Sequence, residues 1–250
     1  FDWTAVRLLA ERRFSLFFSH VQWRFLLIVG VGILLSVFSM SMVIKWLLDH
    51  RPVLVMSFFF GLIVASVFSV GKDVGCWKWD RLLSFSAGSA GAYLVAGMVP
   101  VNTPEGFVFL FICGALAACA MILPGISGAF ILVLLGKYHF LLEAINRQDL
   151  AVLGVVAAGA VAGLVLFARF LGWLLDRYYS LVLAALTGVM LGSLRKLWPW
   201  KGYAPDAPAA LLPVNTLPPA WDMETVSAFL LMLAGIAAVA GLGAMAGARK

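Results

Sequence analysis

The chain has 250 residues, of which 63% are hydrophobic and only 12% charged, with a formal charge of +6 and a mean hydropathy of +1.02. Soluble domains carry about 25% charged residues, so this composition excludes a soluble globular protein. The basic residues lie between apolar segments, where they orient helices and contact anionic lipid, so nucleic-acid binding is not expected. Because these segments reach the roughly 20 residues of a transmembrane helix, we predict an all-α, polytopic membrane protein.

The predicted elements form a single transmembrane domain over residues 1–250, beginning with an arginine-rich stretch at 1–23. That pattern is typical of an amphipathic helix on the cytoplasmic face of a membrane. Apolar segments follow at 25–48, 53–71, 82–99, 107–123, 126–142, 150–175, 179–194 and 226–247. The Pro-rich stretch at 198–225 is predicted to be an external loop. Arg195 and Lys196, beside two tryptophans, are interpreted as part of an interfacial belt.

An internal repeat joins two of these regions, because the residues Trp-Leu-Leu-Asp at 46–49 recur at 173–176. We predict two copies of a helical hairpin, at 24–71 and 151–198. The pairs related by the same offset are Asp49 and Asp176, Gly61 and Gly188, and Ser66 and Ser193.

Each pair has a structural role and a functional one. Close helix packing is the simpler role for the glycines and serines, and a ligand role for Ser66 and Ser193 is the alternative. Turn capping is the simpler role for Asp49 and Asp176, and a coupling proton site is the alternative.

A second feature is the break at Pro124 and Gly125, where a helix is predicted to end because proline removes a backbone donor. Ser127 is predicted to cap a new helix, whose free N–H groups suit a phosphate or carboxylate. A kinked single span is the alternative. Residues 107–145 are too many for one span, so we favour a re-entrant hairpin over 107–142, lining a wet cavity.

Three blocks, at 58–66, 124–138 and 186–200, resemble the PopT family of undecaprenyl phosphate translocases, and the likeness extends over nearly the whole chain. The resemblance implies a multi-pass flippase of the bacterial cytoplasmic (inner) membrane. Such a protein returns undecaprenyl phosphate to the cytoplasmic leaflet for cell-wall and surface-polymer synthesis, and it is a transporter, not an enzyme. Members are similar in carrying two Pro-Gly-x-Ser-Gly segments. Only one stands here, at 124–128, so we expect an N-terminal portion to precede Phe1 in the native protein.

The predicted site holds the phosphate at the helix that begins near Ser127, while the prenyl tail stays in membrane lipid. The candidate substrate-binding residues are Gly125, Ile126, Ser127, Gly128, Ala129, Lys137 and Arg169. Arg169 lies within an apolar segment, and an intramembrane charge is functional by default; snorkelling or pairing with Asp176 is the alternative. Lys137 is placed at the mouth, with an interfacial anchor as the alternative. No cofactor or metal is expected, and a homo-oligomer is left open.

Repeats with broken helices are a common plan for alternating access, and we favour inverted copies. The positive-inside tendency prefers parallel copies, but external cations have a use if they gather lipid phosphates. Two other functions stay open. BacA-type undecaprenyl pyrophosphate phosphatases have similar Pro-Gly segments, but they add an arginine and a further serine that residues 127–130 lack. A small-anion transporter could use the same helix end.

Overall fold

The computed structural model describes residues 23–101, 103–202 and 214–247, which form eight helices and one short hairpin. The predicted interfacial helix at 1–23 falls almost entirely outside these ranges, as does the middle of the loop at 198–225. The helices are α1 Trp23–His50, α2 Pro52–Asp73, α3 Trp79–Ala96, α4 Phe107–Ile122, α5 Gly128–Leu134, α6 Tyr138–Asn146, α7 Leu150–Leu197 and α8 Met223–Gly247. Strands β1 Lys201–Gly202 and β2 Val214–Asn215 pair antiparallel.

The helix lengths confirm the prediction of an all-α membrane protein. In the described part of the chain, α2, α7 and α8 are long and apolar enough to cross a membrane, and α5 with α6 could form a fourth, broken span. The 48 residues of α7 would extend about 72 Å as one straight helix. Tyr178 interrupts it with non-helical angles, φ −134° and ψ 42°. The interruption divides α7 into α7a (150–177) and α7b (179–197), next to the break expected after Asp176.

The predicted apolar segment at 126–142 is not one element but two. Gly136 adopts φ +64°, and the amide of Lys137 donates to the carbonyl of Leu132 at 2.8 Å. This left-handed glycine and six-to-one bond form the Schellman motif that ends α5. The axes of α5 and α6 consequently meet at 104°.

The chain divides into two compact units, one ending at Pro52 and one beginning at Val53. The first unit contains α1, in which Trp46 stacks on His50 with ring centroids 4.8 Å apart. The second unit contains the other helices. The predicted first repeat copy, 24–71, is therefore divided between the two units.

In the second unit, glycines bring helix backbones into direct contact. A Cβ atom at Gly88 or Gly188 would collide with the backbone of the other helix of the α3–α7b pair, at Ala185 and Phe85 respectively. Gly159 of α7a meets the backbone of Phe111 in α4 in the same way. Small residues that allow such close approach are the usual basis of helix association in membranes.

The pair formed by α2 and α8 is built in the same way. A Cβ atom at Gly61 would collide with the backbone of Met232, and one at Gly235 with the carbonyl of Phe58. Near the start of α8, Ala228 packs in a buried cluster with Trp200, which follows α7b. This cluster places the end of α7b beside the beginning of α2 and α8.

Candidate functional site

The Pro-Gly-x-Ser-Gly segment is the turn between α4 and α5. Gly125 adopts φ +91°, a left-handed conformation that L side chains rarely adopt, and a Cβ atom there would lie 2.5 Å from the Oγ atom of Ser193. A Cβ atom at Gly128 would lie 2.6 Å from the carbonyl oxygen of Ala117. The first glycine therefore shapes the turn and admits Ser193, and the second lets α5 pack on α4.

Beyond this turn the chain runs back towards the residues that precede α4. The amide of Val101, before α4, donates to the carbonyl of Leu134 at the end of α5, with a distance of 2.9 Å. The hydroxyl of Thr103 donates to the carbonyl of Leu135 at 2.5 Å. Since α4 has 16 residues, the turn lies about 24 Å along its axis from the start of α4.

A cavity of about 240 Å³ lies where this turn meets α3 and the end of α7b. We call it the serine cavity, after Ser127 and Ser193. It is lined by Ala92, Val95, Ala96, Gly125, Ile126, Ser127, Phe130, Ser193, Lys196 and Leu197. The two serines, predicted separately from the broken segment and from the repeat, thus meet at one site.

The two serine hydroxyls differ in what they contact. Ser193 is 3% exposed, and its hydroxyl donates to the carbonyl of Met190 at 2.7 Å. Ser127 occupies the predicted N-cap position of α5, but its side chain makes no capping hydrogen bond. The helix it begins is only seven residues long. Ser127 is exposed, so its hydroxyl is available to a bound molecule.

Lys196, interpreted from the sequence as part of an interfacial belt, supplies a positive charge to this site. Its Nζ atom lies 4.6 Å from the centroid of the Phe130 ring. Residues 193 and 196 are three apart on α7b, so they share a helix face. That spacing is the signal by which Lys196 could have been found.

Two further cavities adjoin the serine cavity. The first, about 220 Å³, shares Ala96 and Lys196 with it and contains two more cations; we call it the cation cavity. The second, about 460 Å³, shares Val95 with it and is lined only by residues with apolar side chains; we call it the apolar cavity. Its lining is Val95, Met98, Val99, Val101, Leu116, Ile131, Leu134 and Leu135. The serine cavity, with two hydroxyls and one cation in a largely apolar lining, thus adjoins both a cationic cavity and an apolar one.

Other predicted site residues lie elsewhere. Lys137 is 3% exposed, and its Nζ atom donates to the carbonyl of Thr103 at 2.6 Å, so it braces the turn after α5 instead of standing at the mouth. Arg169 is exposed on α7a and does not line the serine cavity, and Ala129 is likewise exposed outside its lining. The structure therefore brings Gly125, Ile126 and Ser127 together, but not Lys137 or Arg169.

The repeat-related polar residues are also outside the serine cavity, except for Ser193. Ser66 donates to the carbonyl of Leu62 at 2.8 Å within α2. Asp49, at the end of α1, and Asp176, at the end of α7a, are both exposed.

Comparisons with known proteins place the chain in a family. A family model described as VCA0040-like, undecaprenyl phosphate translocase-like, matches residues 1–210. A polyprenyl-phosphate transporter of Vibrio cholerae is 39% identical over 238 residues, covering 90% of this chain and 77% of the relative. One of Staphylococcus aureus is 28% identical over 203 residues, covering 73% and 72%. No solved structure gives a significant match. The resemblance drawn from the sequence is confirmed: the chain belongs to the undecaprenyl phosphate translocase-like family.

Proposed function

We propose that this protein moves undecaprenyl phosphate, or a similar polyprenyl phosphate, across the bacterial cytoplasmic membrane. The phosphate occupies the serine cavity during the transfer. Its relatives are named polyprenyl-phosphate transporters, which favours a transporter and not an enzyme. Return of the lipid carrier to the cytoplasmic leaflet, for another round of cell-wall and surface-polymer synthesis, is the direction we assign.

The observation that carries the proposal is the sequence of three adjoining cavities. A polyprenyl phosphate has one anionic group and a long apolar chain. The anion needs hydrogen bonds from hydroxyls and cations when it leaves water, and Ser127 and Lys196 offer them in the serine cavity. The part of the chain next to the phosphate needs only apolar surface, which the neighbouring 460 Å³ cavity offers, while the rest of the tail stays in membrane lipid. A small inorganic anion has no apolar chain that would occupy that second cavity.

Alternating access between two inverted copies is the mechanism we propose, and helix directions support it. Phe60, in the first half of α2, contacts Trp198 just after α7b, with ring centroids 5.5 Å apart. Met56 of α2 lines the cation cavity with Arg195 of α7b. The start of α2 therefore lies beside the end of α7b. A Cβ atom at Gly71, near the end of α2, would lie 3.7 Å from the side chain of Thr187 in α7b, so these repeat-related helices run antiparallel.

The glycine contacts follow the same relationship. In α2, Phe58 and Gly61 contact α8, whereas their repeat equivalents in α7b, Ala185 and Gly188, contact α3. The second helix of each copy, α2 or α7b, is thus paired with the helix that follows the other copy. This pairing supports alternating access, in which two related halves move as rigid bodies around a site between them. We place the hairpin of α4 and α5 as the re-entrant element of this site.

Reconstitution tests the proposal directly. Purified protein in liposomes should move a fluorescent short-chain polyprenyl phosphate between leaflets, measured by quenching of the outer leaflet with dithionite. Ser127→Ala should slow this transfer about tenfold, the loss expected for one charge-assisted hydrogen bond. Ser227→Ala is the matched control, because Ser227 is a half-buried serine of α8 whose hydroxyl donates within its own helix and which lines none of the three cavities. Liposomes with and without wild-type protein that quench equally fast would refute the proposal.

The two competing functions need their own assay. Clear release of phosphate from undecaprenyl pyrophosphate by the purified protein would favour the phosphatase and overturn the transporter. Inhibition of transfer by free phosphate as strong as that by farnesyl phosphate would favour a small-anion transporter. We expect no release, and inhibition by farnesyl phosphate at much lower concentration.

A further inference from the structure

Three cations converge in the cation cavity beside the end of α7b. Arg195 and Lys196 come from the last turn of α7, and Lys201 comes from β1. The cavity is completed by Met56, Ala96, Gly97 and Asn215. No carboxylate is among these lining residues of the described chain, so the three charges are not neutralised there.

The cluster is held in place by bonds that leave donors free for a ligand. The Nζ atom of Lys201 donates to the carbonyl of Arg195 at 2.8 Å and to the Oδ1 atom of Asn215 at 2.5 Å. The guanidinium of Arg195 donates to the carbonyl of Tyr93 at 3.0 Å and stacks over its ring. Arginine has five N–H donors, and this bond uses one of them. The side chains are therefore ordered before any ligand arrives.

Position at a helix C-terminus does not account for the whole cluster. Arg195 and Lys196 interact favourably with the helix dipole in the last turn of α7. Lys201 lies beyond the helix, and Asn215 of β2 holds its amine against the other two charges. Burial, and then the charges of Lys196 and Arg195, lower the pKa of Lys201 to about 8. An anion bound among the three would relieve this repulsion.

We propose that Arg195, Lys196 and Lys201 form a phosphate-binding site that passes its ligand to the serine cavity. The recognised group is a phosphate monoester or inorganic phosphate, because an arginine fork and two ammonium groups match its several oxygens. Ala96 and Lys196 line both cavities, so the phosphate can move between them without losing contact with Lys196. Transfer of the phosphate from the cation cavity to the serine cavity rests on the proposed transport function, whereas phosphate binding by the three cations does not.

Binding to the full chain in detergent tests the site. The probes are farnesyl phosphate, inorganic phosphate and uncharged farnesol, and the readout is the dissociation constant from titration calorimetry. Lys201→Gln should weaken farnesyl phosphate binding at least tenfold, since it removes one charge-assisted hydrogen bond to the phosphate. Lys72→Gln removes one exposed cation at the opposite end of α2 and should change nothing. Unchanged affinity in Lys201→Gln would overturn the site.

The probes also distinguish the source of the phosphate. Binding of farnesyl phosphate without inorganic phosphate supports a site for the lipid head group, whereas binding of both supports a general phosphate site. Equal binding of farnesol and farnesyl phosphate would overturn recognition of the phosphate. If the wild type binds farnesyl phosphate more tightly than Lys201→Gln does but does not transport it, the proposed transport function is wrong and the proposed binding site is supported. If the wild type transports the lipid and Lys201→Gln binds farnesyl phosphate with unchanged affinity, the proposed site is wrong and the transport function is supported.

A wild-type measurement covers the case in which the variant does not fold. Acetylation of lysines, followed by mass spectrometry, should show Lys201 and Lys196 protected when farnesyl phosphate is present. Lys72 should react equally with and without it. Equal acetylation of Lys201 in both conditions would contradict the proposal.

Discussion

A Cβ atom on Gly125 would lie 2.5 Å from the Oγ atom of Ser193. Gly125 belongs to the break between α4 and α5, and Ser193 to the last part of α7b. Ser193 cannot move aside without losing its hydrogen bond to the carbonyl of Met190. The break and α7b are therefore fitted to each other, and the serine cavity lies where they meet.

Gly125→Ala should destabilise the protein and abolish most transport. The left-handed φ of +91° costs a residue with a side chain about 1–3 kcal/mol, and the contact with Ser193 adds to this. We expect a lower midpoint in chemical unfolding and a transfer rate reduced at least tenfold.

The matched control is Gly154→Ala, because a Cβ atom there would meet nothing within 4 Å. Alanine is favoured over glycine by about 0.5–1 kcal/mol inside a helix, so this variant should be as stable as the wild type or more so. Wild-type stability in Gly125→Ala would contradict the tight fit at the break.

Two repeat-related glycines should respond alike to substitution. A Cβ atom at Gly188 would collide with the backbone of Phe85, and one at Gly61 with the backbone of Met232. Overpacking of this kind costs about 1–3 kcal/mol, so Gly188→Ala and Gly61→Ala should each lower the unfolding midpoint. Gly172→Ala in α7, with nothing within 4 Å of its Cβ position, is the control. A loss at only one site would argue against equivalent roles in two copies.

Local chemistry explains which features the sequence predicts. Pro124 and Gly125 end a helix through their own backbone properties, and the break appears where they stand. Gly136 also ends a helix through its own backbone conformation. It lies, however, within the apolar segment 126–142, which the sequence presents as one continuous segment. In the hairpin of α4 and α5, the amide of Val101 donates to the carbonyl of Leu134, a long-range bond for which the sequence carries no direct signal.

The positions of the charged residues were harder to predict. Lysine is rarely fully buried unless it has a partner, and the partner of Lys137 is a backbone carbonyl, at Thr103, which has no sequence signature. Arg169 stands out in an apolar segment, but its position along the chain does not say which neighbours it faces. Arg195 and Lys196 have the composition of an interfacial belt. Lys201 follows closely in the sequence, but the bonds that hold its amine beside them include one to Asn215, fourteen residues further along the chain.

The role of Arg169 stays a prediction that can be separated from that of Ser127. Arg169 is exposed on α7a and does not line the serine cavity, so any contribution to transport must come at another stage of the cycle. Arg169→Ala should therefore slow transfer while leaving the dissociation constant for farnesyl phosphate unchanged, whereas Ser127→Ala should impair both. Weakened binding in Arg169→Ala would show that the residue reaches the bound phosphate.

Binding of farnesyl phosphate should weaken as the pH rises from 7 to 10. Burial and the charges of Lys196 and Arg195 lower the pKa of Lys201 to about 8 in the free protein, so its amine loses its proton above that pH. The ligand keeps its charge over this range, because the second pKa of a phosphate monoester is about 6. The remaining lining residues, Met56, Ala96, Gly97 and Asn215, carry no charge.

The direction follows from linkage. A bound anion stabilises the ammonium form of Lys201, so its pKa in the complex is higher than in the free protein, and binding takes up a proton between the two values. The dissociation constant should therefore rise with pH above about 8 and level off above the pKa of the complex. Calorimetry at several pH values checks this, and Lys201→Gln should remove the rise because it has no proton to lose. An equal rise in Lys201→Gln would assign the titration to another group and contradict a role for Lys201 in phosphate binding.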